Sequence, residues 1–526
     1  MDFTIPWHAI GIRAIIFFVV VLIGLALIVL PLPFAIILVG GTILLLLALI
    51  DPIWALYAAV LSVPIQDLIL LPGEISITQA MLGLVAVTWS LHVLAFKEHR
   101  VRAGRVLPAL LVFVWVLLLS STFTDYSATE SLKETVRWIS VLLIYLVALN
   151  VVIPLQRSAI GMAADLRQSW RAVGLILCLL LAPAVNAVIG LRQFWYADGP
   201  PSFAIAGGRF VRAYGTIGQP NSFAGYMNMA WPLAFAITIG ILWACWHWLQ
   251  ARGSRRIDLQ MWSLLISPLP FLLLSIVVMS GLLLAALLAS YSRGGWIGAI
   301  SGLVGIIAAF GLIAGRSMRQ RLLAGMSAAL VAVLLAFVVG SAGLLPNALT
   351  ERFQSITDNL RLFDVRTVQV KPENFAVVER MAQMQSAWVM FLEHPLLGVG
   401  PGNYTLAYEG RAGVGILPYS FHPWYASRGH AHNYYLHIAT EAGVLGLLAY
   451  LLLLGLLIAQ AYATLLRVHG WFWQSVAIGS CGMIASVAGH NLLEHLHVLN
   501  MGVQLGAAWG LLAAMETLTT MEQDNG

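Results

Sequence analysis

The sequence predicts an all-α protein, a polytopic transmembrane helix bundle of about 12–14 spans with one long polar loop. Of its 526 residues 60% are hydrophobic and only 10% are charged, whereas about 25% of the residues in a soluble domain are charged. Apolar runs that reach the roughly 20 residues needed to cross a bilayer as a helix recur along the whole chain. These observations indicate a multi-pass membrane protein.

The apolar runs divide the chain into about fourteen predicted helices. Pro31 and Pro33 are all that separates the first two runs, and Ser267 to Pro270 interrupt the ninth, so about twelve or thirteen spans remain possible. The pattern predicts transmembrane helices with short loops over 1–343, a long loop over 344–435, C-terminal transmembrane helices over 436–516 and a short cytoplasmic tail over 517–526. The predicted helices cover residues 11–30, 33–50, 53–71, 78–96, 106–122, 136–153, 172–190, 222–248, 262–289, 296–315, 322–343, 436–466, 471–493 and 498–516.

Basic residues concentrate in three short loops, and this distribution orients the chain. Because short loops rich in lysine and arginine stay in the cytoplasm, we expect both termini inside and three polar segments outside: Leu191 to Pro220, Ser290 to Gly295, and 344–435. Short cationic loops leave no surface for a nucleic-acid duplex, so the net charge of +5 does not indicate a nucleic-acid partner. The three loops carry Lys97, Arg100, Arg102 and Arg105; Arg252, Arg255 and Arg256; and Arg316, Arg319 and Arg321.

The loop over 344–435 contains an amphipathic pattern. A loop of this length with its own helix usually has a function, as a lid or a wall of a site. The predicted helix can lie on the membrane surface or over the bundle. Its apolar residues recur every three or four positions at Val377, Val378, Met381, Met384, Trp388, Phe391 and Leu392.

Several motifs that would indicate other chemistry are missing. Cys178, Cys245 and Cys481 lie far apart in apolar runs, so they predict neither a disulfide framework nor a thiolate metal site. The chain has no Asp-x-Asp motif for a metal-bound nucleotide sugar, no Walker loop and no close aspartate pair for glycoside hydrolysis. We therefore expect no cofactor, and the energy for any transfer must reside in the substrate.

Three arginines on the predicted outer side are candidate anion-binding residues. Arg212 and Arg293 flank the same pair of predicted helices, and Arg380 begins the amphipathic helix. Positive-inside bias makes outer arginines unfavourable, and guanidinium groups bind phosphate oxygens through paired hydrogen bonds. Snorkelling or helix capping is the alternative for Arg212 and Arg293, and a solvated helix face for Arg380.

Two further outer motifs have simple structural interpretations. Asn221 or Ser222 in the segment QPNS predicts a helix cap, and an anion site at that helix terminus is the alternative. The segment GVGPGN, with Gly398, Gly400 and Gly402, imitates a nucleotide loop but follows no strand. It predicts a tight turn that returns the amphipathic helix to the bundle.

A histidine pair precedes the helix predicted after the long loop. His430 and His432 are followed by Asn433 and Tyr434 at the mouth of that helix. Neutral imidazole is suited to taking a proton from a sugar hydroxyl. Metal binding is the competing interpretation, although His422 and His437 are only weak third ligands.

Two groups of polar residues follow the histidine pair. Tyr434, His437 and Glu441 share one face of the next helix, where they either support the site or make interhelical contacts. The other group, in GHNLLEHLHVLN, lacks the order of a metalloprotease helix and is predicted to be interfacial structure. It places His490, Glu494 and His497 on one helix face.

Four segments, taken in order, resemble the O-antigen ligase and polymerase superfamily. They are RFVRAYGTIGQPNSFAGY, SYSRGGW, ERMAQMQSAWVMFLEHPLLGVGPGNY and HAHNYYLHIATEAGVLG, within roughly Arg209 to Gly446. Members of this family move a lipid-linked glycan onto an acceptor on the outer face of the membrane. The resemblance implies that His432, the histidine directly before asparagine, is catalytic, with His430 auxiliary. It also implies metal independence and inversion at the anomeric carbon.

The residues and the resemblance together predict an O-antigen ligase-like glycosyltransferase of lipopolysaccharide biosynthesis in the plasma (inner) membrane, with an extracytoplasmic site. We expect His432, Arg212 and Arg293 to be catalytic. The expected donor is a glycan on a polyprenyl diphosphate, the acceptor a lipid A core or another glycan, and no metal is required. The alternatives are a polymerase of the same family and a solute transporter, for which Gln66, Asp67 and Asn186 are the mid-membrane candidates. The expected substrate-binding residues are Arg380, His430, Asn433, Asn221 and Tyr434.

Overall fold

A computed structural model describes most of the chain and confirms the all-α fold class. Its described residues are 24, 32–71, 73–96, 101–152, 162–252, 269–321, 324–325, 335, 364–371, 374–410, 415 and 417–523. Within these ranges the only strands form two antiparallel hairpins, β1 (Leu70–Leu71) with β2 (Ile75–Ser76) and β3 (Ala204–Ile205) with β4 (Phe210–Val211).

The described part of the chain contains fifteen α-helices. They are α1 (Leu32–Ile50), α2 (Ile53–Ser62), α3 (Ile77–Ala95), α4 (Leu107–Thr122), α5 (Ala128–Val151), α6 (Met162–Tyr196), α7 (Pro220–Asn228), α8 (Trp231–Arg252), α9 (Leu269–Ala289), α10 (Arg293–Ile313), α11 (Phe375–Glu393), α12 (Tyr404–Glu409), α13 (Tyr434–Arg467), α14 (Trp471–His490) and α15 (Gly502–Gln523).

Seven helical segments of this part are long and apolar enough to cross a membrane. Four shorter apolar helices accompany them: Leu38–Ile50, Ile53–Ile65, Leu107–Thr122 and Leu273–Ala289. The predicted helices over 11–30 and 322–343 lie almost entirely outside the described residues. The seven segments are Ile77–Ala95, Ala128–Val151, Trp170–Tyr196, Pro220–His247, Arg293–Ile313, Tyr434–Arg467 and Trp471–His490.

Proline accounts for two differences between the predicted and observed helices. The run predicted over 222–248 forms two helices, α7 and α8, because Pro232 has no amide hydrogen to continue the ladder. The helix predicted over 53–71 ends at Ser62, and a short 3₁₀ turn that contains Pro64 follows it. In both places the sequence stays apolar beyond the residue at which the helix ends.

Small residues allow α10 to pack closely against α14. A Cβ atom at Gly298 would lie 2.8 Å from the Cβ of His490, and one at Gly302 would lie 3.0 Å from the Cβ of Ser486. The hydroxyl of Ser486 donates a hydrogen bond to the carbonyl of Gly298 at 2.8 Å. Close approach through small residues is typical of membrane helix pairs. It places the end of α14 beside the start of α10, where Arg293 lies.

The long loop contains the predicted amphipathic helix as α11 (Phe375–Glu393). Its packed face differs from the predicted stripe, because Trp388 and Leu392 are exposed. The hydroxyl of Thr440 in α13 donates a hydrogen bond to the carbonyl of Ala387 at 3.0 Å, which ties α11 to the bundle. The buried residues of α11 are Val378, Met381, Ala382, Gln383, Ser386, Ala387 and Met390.

Helix α13 is interrupted at Gly443, and the segment after α11 fills the interruption. Gly443 has φ 68° and ψ −167°, a backbone region that only glycine adopts readily. The amide of Val399 donates to the carbonyl of Thr440 at 3.0 Å, and the amide of Val444 donates to the carbonyl of Pro395 at 2.8 Å. These bonds replace the helical bond between Val444 and Thr440. The predicted tight turn of GVGPGN, which returns α11 to the bundle, is thereby confirmed.

Gly443→Ala should destabilise the protein, whereas Gly455→Ala in the same helix should not. A Cβ atom at Gly443 would lie 2.2 Å from the backbone of Leu396, while one at Gly455 would meet nothing within 4 Å. We expect the first variant to lose about 1–3 kcal/mol or more, since alanine is strained in this backbone region. Thermal unfolding of the purified proteins in detergent measures the difference. Equal midpoints for the two variants would contradict the interruption.

Candidate active site

The β3–β4 hairpin places Arg212 beside the junction of α9 and α10. The amide of Arg212 donates to the carbonyl of Phe203 at 2.9 Å, and the amide of the next residue, Ala213, donates to the carbonyl of Ala289 at 3.0 Å. The guanidinium group donates through Nε to the carbonyl of Ser290 at 2.8 Å. Backbone bonds therefore hold Arg212 against the end of α9.

Two polar side chains that were candidates for a transport path instead hold loops. Asn186 of α6 accepts a hydrogen bond from the amide of Thr216 at 2.9 Å. Gln66 accepts one from the side chain of Asn500 at 2.7 Å. Both residues are buried, and these bonds give each of them a structural role. The third candidate, Asp67, is exposed.

Arg293 and Arg380 add positive charge close to Arg212. Arg293 is the first residue of α10, where Ser292 caps the helix by accepting a hydrogen bond from the amide of Gly295 at 3.1 Å. Arg380 lies near the start of α11, and no carboxylate in the described ranges forms an ion pair with it. Both arginines are partly buried.

The charges around Arg212 change its protonation equilibrium. Burial, together with the nearby positive charges of Arg380 and Arg293, lowers its pKa to about 10 against the opposing effect of Glu494. The group remains a cation at neutral pH. Three arginines therefore converge where one carboxylate offsets their charge, and an excess of positive charge at a partly buried place favours the binding of an anion.

His430 and His432 converge on the carboxylate of Glu494. His430 Nε2 lies 3.0 Å from Glu494 Oε1, and His432 Nδ1 lies 3.4 Å from the same oxygen. The two imidazole rings are 4.3 Å apart between centroids. His432 has φ 53°, a left-handed conformation that is uncommon outside glycine. Such strained backbone often occurs at functional sites.

The hydrogen bonds assign the protons in this cluster. The amide of His432 donates to His430 Nδ1 at 3.2 Å, so Nδ1 carries no proton and Nε2–H points to Glu494. Burial lowers the pKa of His430 to about 3, which keeps its ring neutral at physiological pH. Although burial raises the pKa of Glu494, His430, His432 and Arg380 lower it more strongly, so the net shift is downward and the carboxylate is ionised.

Glu494 joins the histidine pair to the arginine cluster through Asn221. The side-chain amide of Asn221 donates to Glu494 Oε2 at 2.6 Å, and its carbonyl oxygen accepts from Arg212 Nη2 at 2.9 Å. Asn221 or Ser222 was predicted to cap a helix, but Gln219 is the N-cap residue of α7 and forms no side-chain cap bond. The prediction was wrong because tertiary partners use the Asn221 side chain instead.

Glu494 was not predicted as a site residue. It was expected to share one helical face with His490 and His497 near the outer end of the helix predicted over 471–493. In the structure α14 ends at His490, and Glu494 and His497 follow in a non-helical segment. The only sequence signal for Glu494 was its carboxylate, set among histidines in an apolar context. Its contacts depend on residues of distant segments, which periodicity does not reveal.

Asn433 and Tyr434 hold the histidine pair in place. Asn433 caps α13 by accepting from the amide of Leu436 at 2.9 Å, and its side-chain amide donates to the carbonyl of Leu492 at 3.1 Å. The amide of Tyr434 donates to the carbonyl of Asn491 at 2.8 Å. These bonds fix the start of α13 to the segment that carries Glu494. Direct contact of Asn433 or Tyr434 with substrate stays a prediction.

A second cluster of buried rings lies next to the histidine pair. The Tyr434 ring lies 4.7 Å from that of His495 and 4.5 Å from that of His497, measured between centroids, and His437 lies 4.6 Å from His495. Glu441 accepts from the amide of Tyr404 at 3.0 Å and therefore caps α12. These contacts favour the interhelical interpretation of Tyr434, His437 and Glu441.

The histidine pair and Glu494 also form a set of possible metal donors. The ligand atoms of His430, His432 and Glu494 all lie within 4.8 Å of one another, so the third ligand that sequence reasoning did not find is Glu494. Arg380 and Arg212 lie close enough to affect this carboxylate electrostatically. Their charges oppose the binding of a divalent cation. We therefore favour proton transfer over metal binding here.

Comparison with known proteins identifies a related family. Residues 278–451 match the family model described as O-antigen ligase, which confirms the resemblance to the O-antigen ligase and polymerase family. The match covers less than half of the chain; it includes Arg293, Arg380 and His432 but not Arg212 or Glu494. No curated protein matches the chain significantly. The match and the seven helices that are long and apolar enough to cross a membrane support a multi-pass membrane protein similar to this family.

Inorganic diphosphate should stabilise the protein through the arginine cluster. A ligand that binds only the folded state at 100 times its Kd adds about 2.7 kcal/mol of stability. We expect Arg212→Lys and Arg293→Lys to lose most of the thermal shift, because lysine cannot make the paired bonds of guanidinium. Arg192→Lys is the control, because Arg192 is exposed and its Nη2 lies 3.6 Å from Asp198 Oδ2. An unchanged shift in both cluster variants would contradict an anion site at this place.

Proposed function

We propose that the protein is a metal-independent, inverting glycosyltransferase of the O-antigen ligase type, which acts on the outer face of the plasma membrane. It transfers a glycan from a polyprenyl diphosphate carrier to a hydroxyl group of a lipid A core or of another glycan. The observation that carries this proposal is the convergence of three arginines and His432 around one ionised carboxylate. Cations for a leaving diphosphate and a base for an attacking hydroxyl are the two requirements of such a transfer.

The arginines serve the donor in this proposal. Arg212 and Arg293 hold the diphosphate oxygens, and Arg380 adds charge from the loop side. As the bond between the anomeric carbon and the diphosphate oxygen breaks, negative charge grows on the diphosphate. Interactions that strengthen in the transition state accelerate the reaction, so the arginines contribute more to turnover than to ground-state binding.

His432 serves the acceptor. Its ring takes the proton of the acceptor hydroxyl while the hydroxyl oxygen attacks the anomeric carbon, and the diphosphate leaves with its lipid from the opposite side. The product is the glycosylated acceptor with inverted anomeric configuration, and the proton resides on the imidazole. A ligase and a polymerase share these steps and differ in the acceptor, so the proposal includes both.

The proposed orientation predicts opposite labelling of two exposed positions. Leu417 in the long loop is 82% exposed, and Met318 in the third basic loop is 42% exposed. In a background with Cys178, Cys245 and Cys481 replaced by serine, Leu417→Cys should react with a membrane-impermeant maleimide in cells whose outer barrier is permeabilised. Met318→Cys should react only after the plasma membrane is opened. The reverse pattern would place the histidines in the cytoplasm and overturn the proposal.

Removing the His432 side chain tests the assigned base. His432→Ala should slow transfer from a polyprenyl diphosphate glycan by roughly 10²- to 10⁴-fold, the usual contribution of general base catalysis, with a smaller effect for His430→Ala. Donor binding should survive, because the arginines remain. The measurement is single-turnover transfer in vitro, with donor affinity determined separately.

The same assay with a chelator distinguishes a base from a metal ligand. The wild-type enzyme should stay active in chelator and lose rate at acidic pH, in the range where histidine titrates. Activity abolished by chelator and restored by zinc would make the histidine pair a metal site. A near-normal rate for His432→Ala would exclude it as the base, and loss of donor binding alone would make it a diphosphate contact.

A further inference from the structure

We propose that Glu494 positions the ring of His432. Asn221 in turn fixes the position of Glu494 relative to Arg212, the arginine that binds the diphosphate in the proposed function. This inference rests on the proposed function, in which His432 is the base. Its basis is a path of contacts between side chains. Arg212 Nη2 lies 2.9 Å from Asn221 Oδ1, Asn221 Nδ2 lies 2.6 Å from Glu494 Oε2, and Glu494 Oε1 lies 3.4 Å from His432 Nδ1. The residues of this path come from the hairpin region, α7, the segment after α14 and the end of the long loop.

Both oxygens of Glu494 are engaged. Oε1 lies near His430 Nε2 and His432 Nδ1, and Oε2 accepts from Asn221. The side chain is only 5% exposed. An ionised carboxylate at such a place is stable only when partners replace the lost water. The partners fix its orientation, so Glu494 can orient a neighbouring ring.

The geometry at His432 assigns different roles to its two ring nitrogens. Nδ1 is buried, and no other described group accepts or donates a hydrogen bond there. With the Nδ1 proton directed to Glu494, the lone pair lies on Nε2, which makes Nε2 the atom that takes the acceptor proton. The imidazolium formed in the reaction then lies beside a fixed negative charge. A carboxylate that orients a catalytic histidine acts in the same way in serine hydrolases.

His430 positions both His432 and Glu494 in this arrangement. Its Nδ1 accepts from the amide of His432, and its Nε2–H donates to Glu494. It therefore fixes the backbone of His432 and the carboxylate at once. This arrangement explains why two histidines flank one alanine. The ring of His430 positions His432, and the ring of His432 is the proposed base.

The network also links the donor to the base. Arg212 is held by Asn221, and Asn221 is held by Glu494, so only two side chains separate the proposed diphosphate contact from the base. The distance between leaving group and base is therefore set by side-chain hydrogen bonds. The charged and titratable groups that affect this carboxylate electrostatically are His430, His432, His490, Arg212 and Arg380.

Glu494→Gln should reduce kcat by about 10- to 100-fold, a part of the total contribution of base catalysis, and leave the KM for the donor within about twofold. The acid limb of the pH–rate profile should move to lower pH, because the imidazolium loses its negative neighbour. Glu494→Asp should restore part of kcat and the original limb. Asn221→Ala should produce a smaller decrease in kcat, and it tests the network if Glu494→Gln does not fold.

Glu441→Gln is the matched control. Glu441 is a buried glutamate whose Oε2 lies 3.5 Å from His437 Nε2, but it caps α12 and does not contact His432. It should change thermal stability without moving the acid limb. If Glu494 were only structural, Glu494→Gln would behave like this control, and an unmoved acid limb in Glu494→Gln would overturn the proposal.

Chemical modification separates this proposal from the proposed function. Diethyl pyrocarbonate reacts with unprotonated imidazole, so mass spectrometry of the His432 peptide at a series of pH values reports the state of this ring without any substrate. A shifted modification profile in Glu494→Gln, with normal transfer by His432→Ala, would support positioning by Glu494 but exclude His432 as the base. An unshifted modification profile, with transfer abolished in His432→Ala, would overturn the role of Glu494 and leave the proposed function intact.

Discussion

The arrangement of the candidate site depends on one buried carboxylate. In surroundings of low dielectric constant, the ionised Glu494 is stable only where donors and cations meet it. The segments that carry its partners are therefore held together at one end of the bundle: the hairpin with Arg212, the start of α7 with Asn221, and the end of the long loop with both histidines. The close packing of α10 against α14 adds Arg293 to the same region. In the proposed function, the same negative charge stabilises the protonated form of His432.

Local patterns in the sequence predicted the parts of the structure that depend on neighbouring residues. The apolar runs predicted the bundle, the spacing from Val377 to Leu392 predicted α11, and the glycines of GVGPGN predicted a turn. Side chains whose partners lie far away in the sequence were not predictable in this way. Asn221 has the composition of a helix cap, and its use between Arg212 and Glu494 appears only when three segments meet. The packed face of α11 was also missed, since hydrophobicity alone does not distinguish a face that contacts protein from one that remains exposed, as Trp388 does.

The third and fourth of the sequence motifs form two halves of one structure. The backbone of Pro395 to Gly400 makes the hydrogen bonds that α13 loses at Gly443. Inside a membrane protein an interrupted helix is stable only where other groups satisfy its free amides and carbonyls. Glycine is needed on both sides: at Gly443 for the backbone conformation, and at Gly398, where a Cβ atom would lie 2.3 Å from the carbonyl carbon of Glu441. Neither motif therefore satisfies its backbone hydrogen bonds without the other.

The interruption of α13 also ties the start of that helix to the long loop. The part of α13 before Gly443 is hydrogen-bonded to α11 and to the segment after it. The histidine pair is therefore connected to the long loop. Arg212, Arg293 and Glu494 belong to the bundle. Hydrogen bonds of Asn433 and Tyr434, together with the contacts of Glu494 with both histidines, tie the start of α13 to the segment that follows α14. The proposed base is therefore held from two sides, by the long loop and by the segment after α14, so its distance from the arginines depends on both attachments.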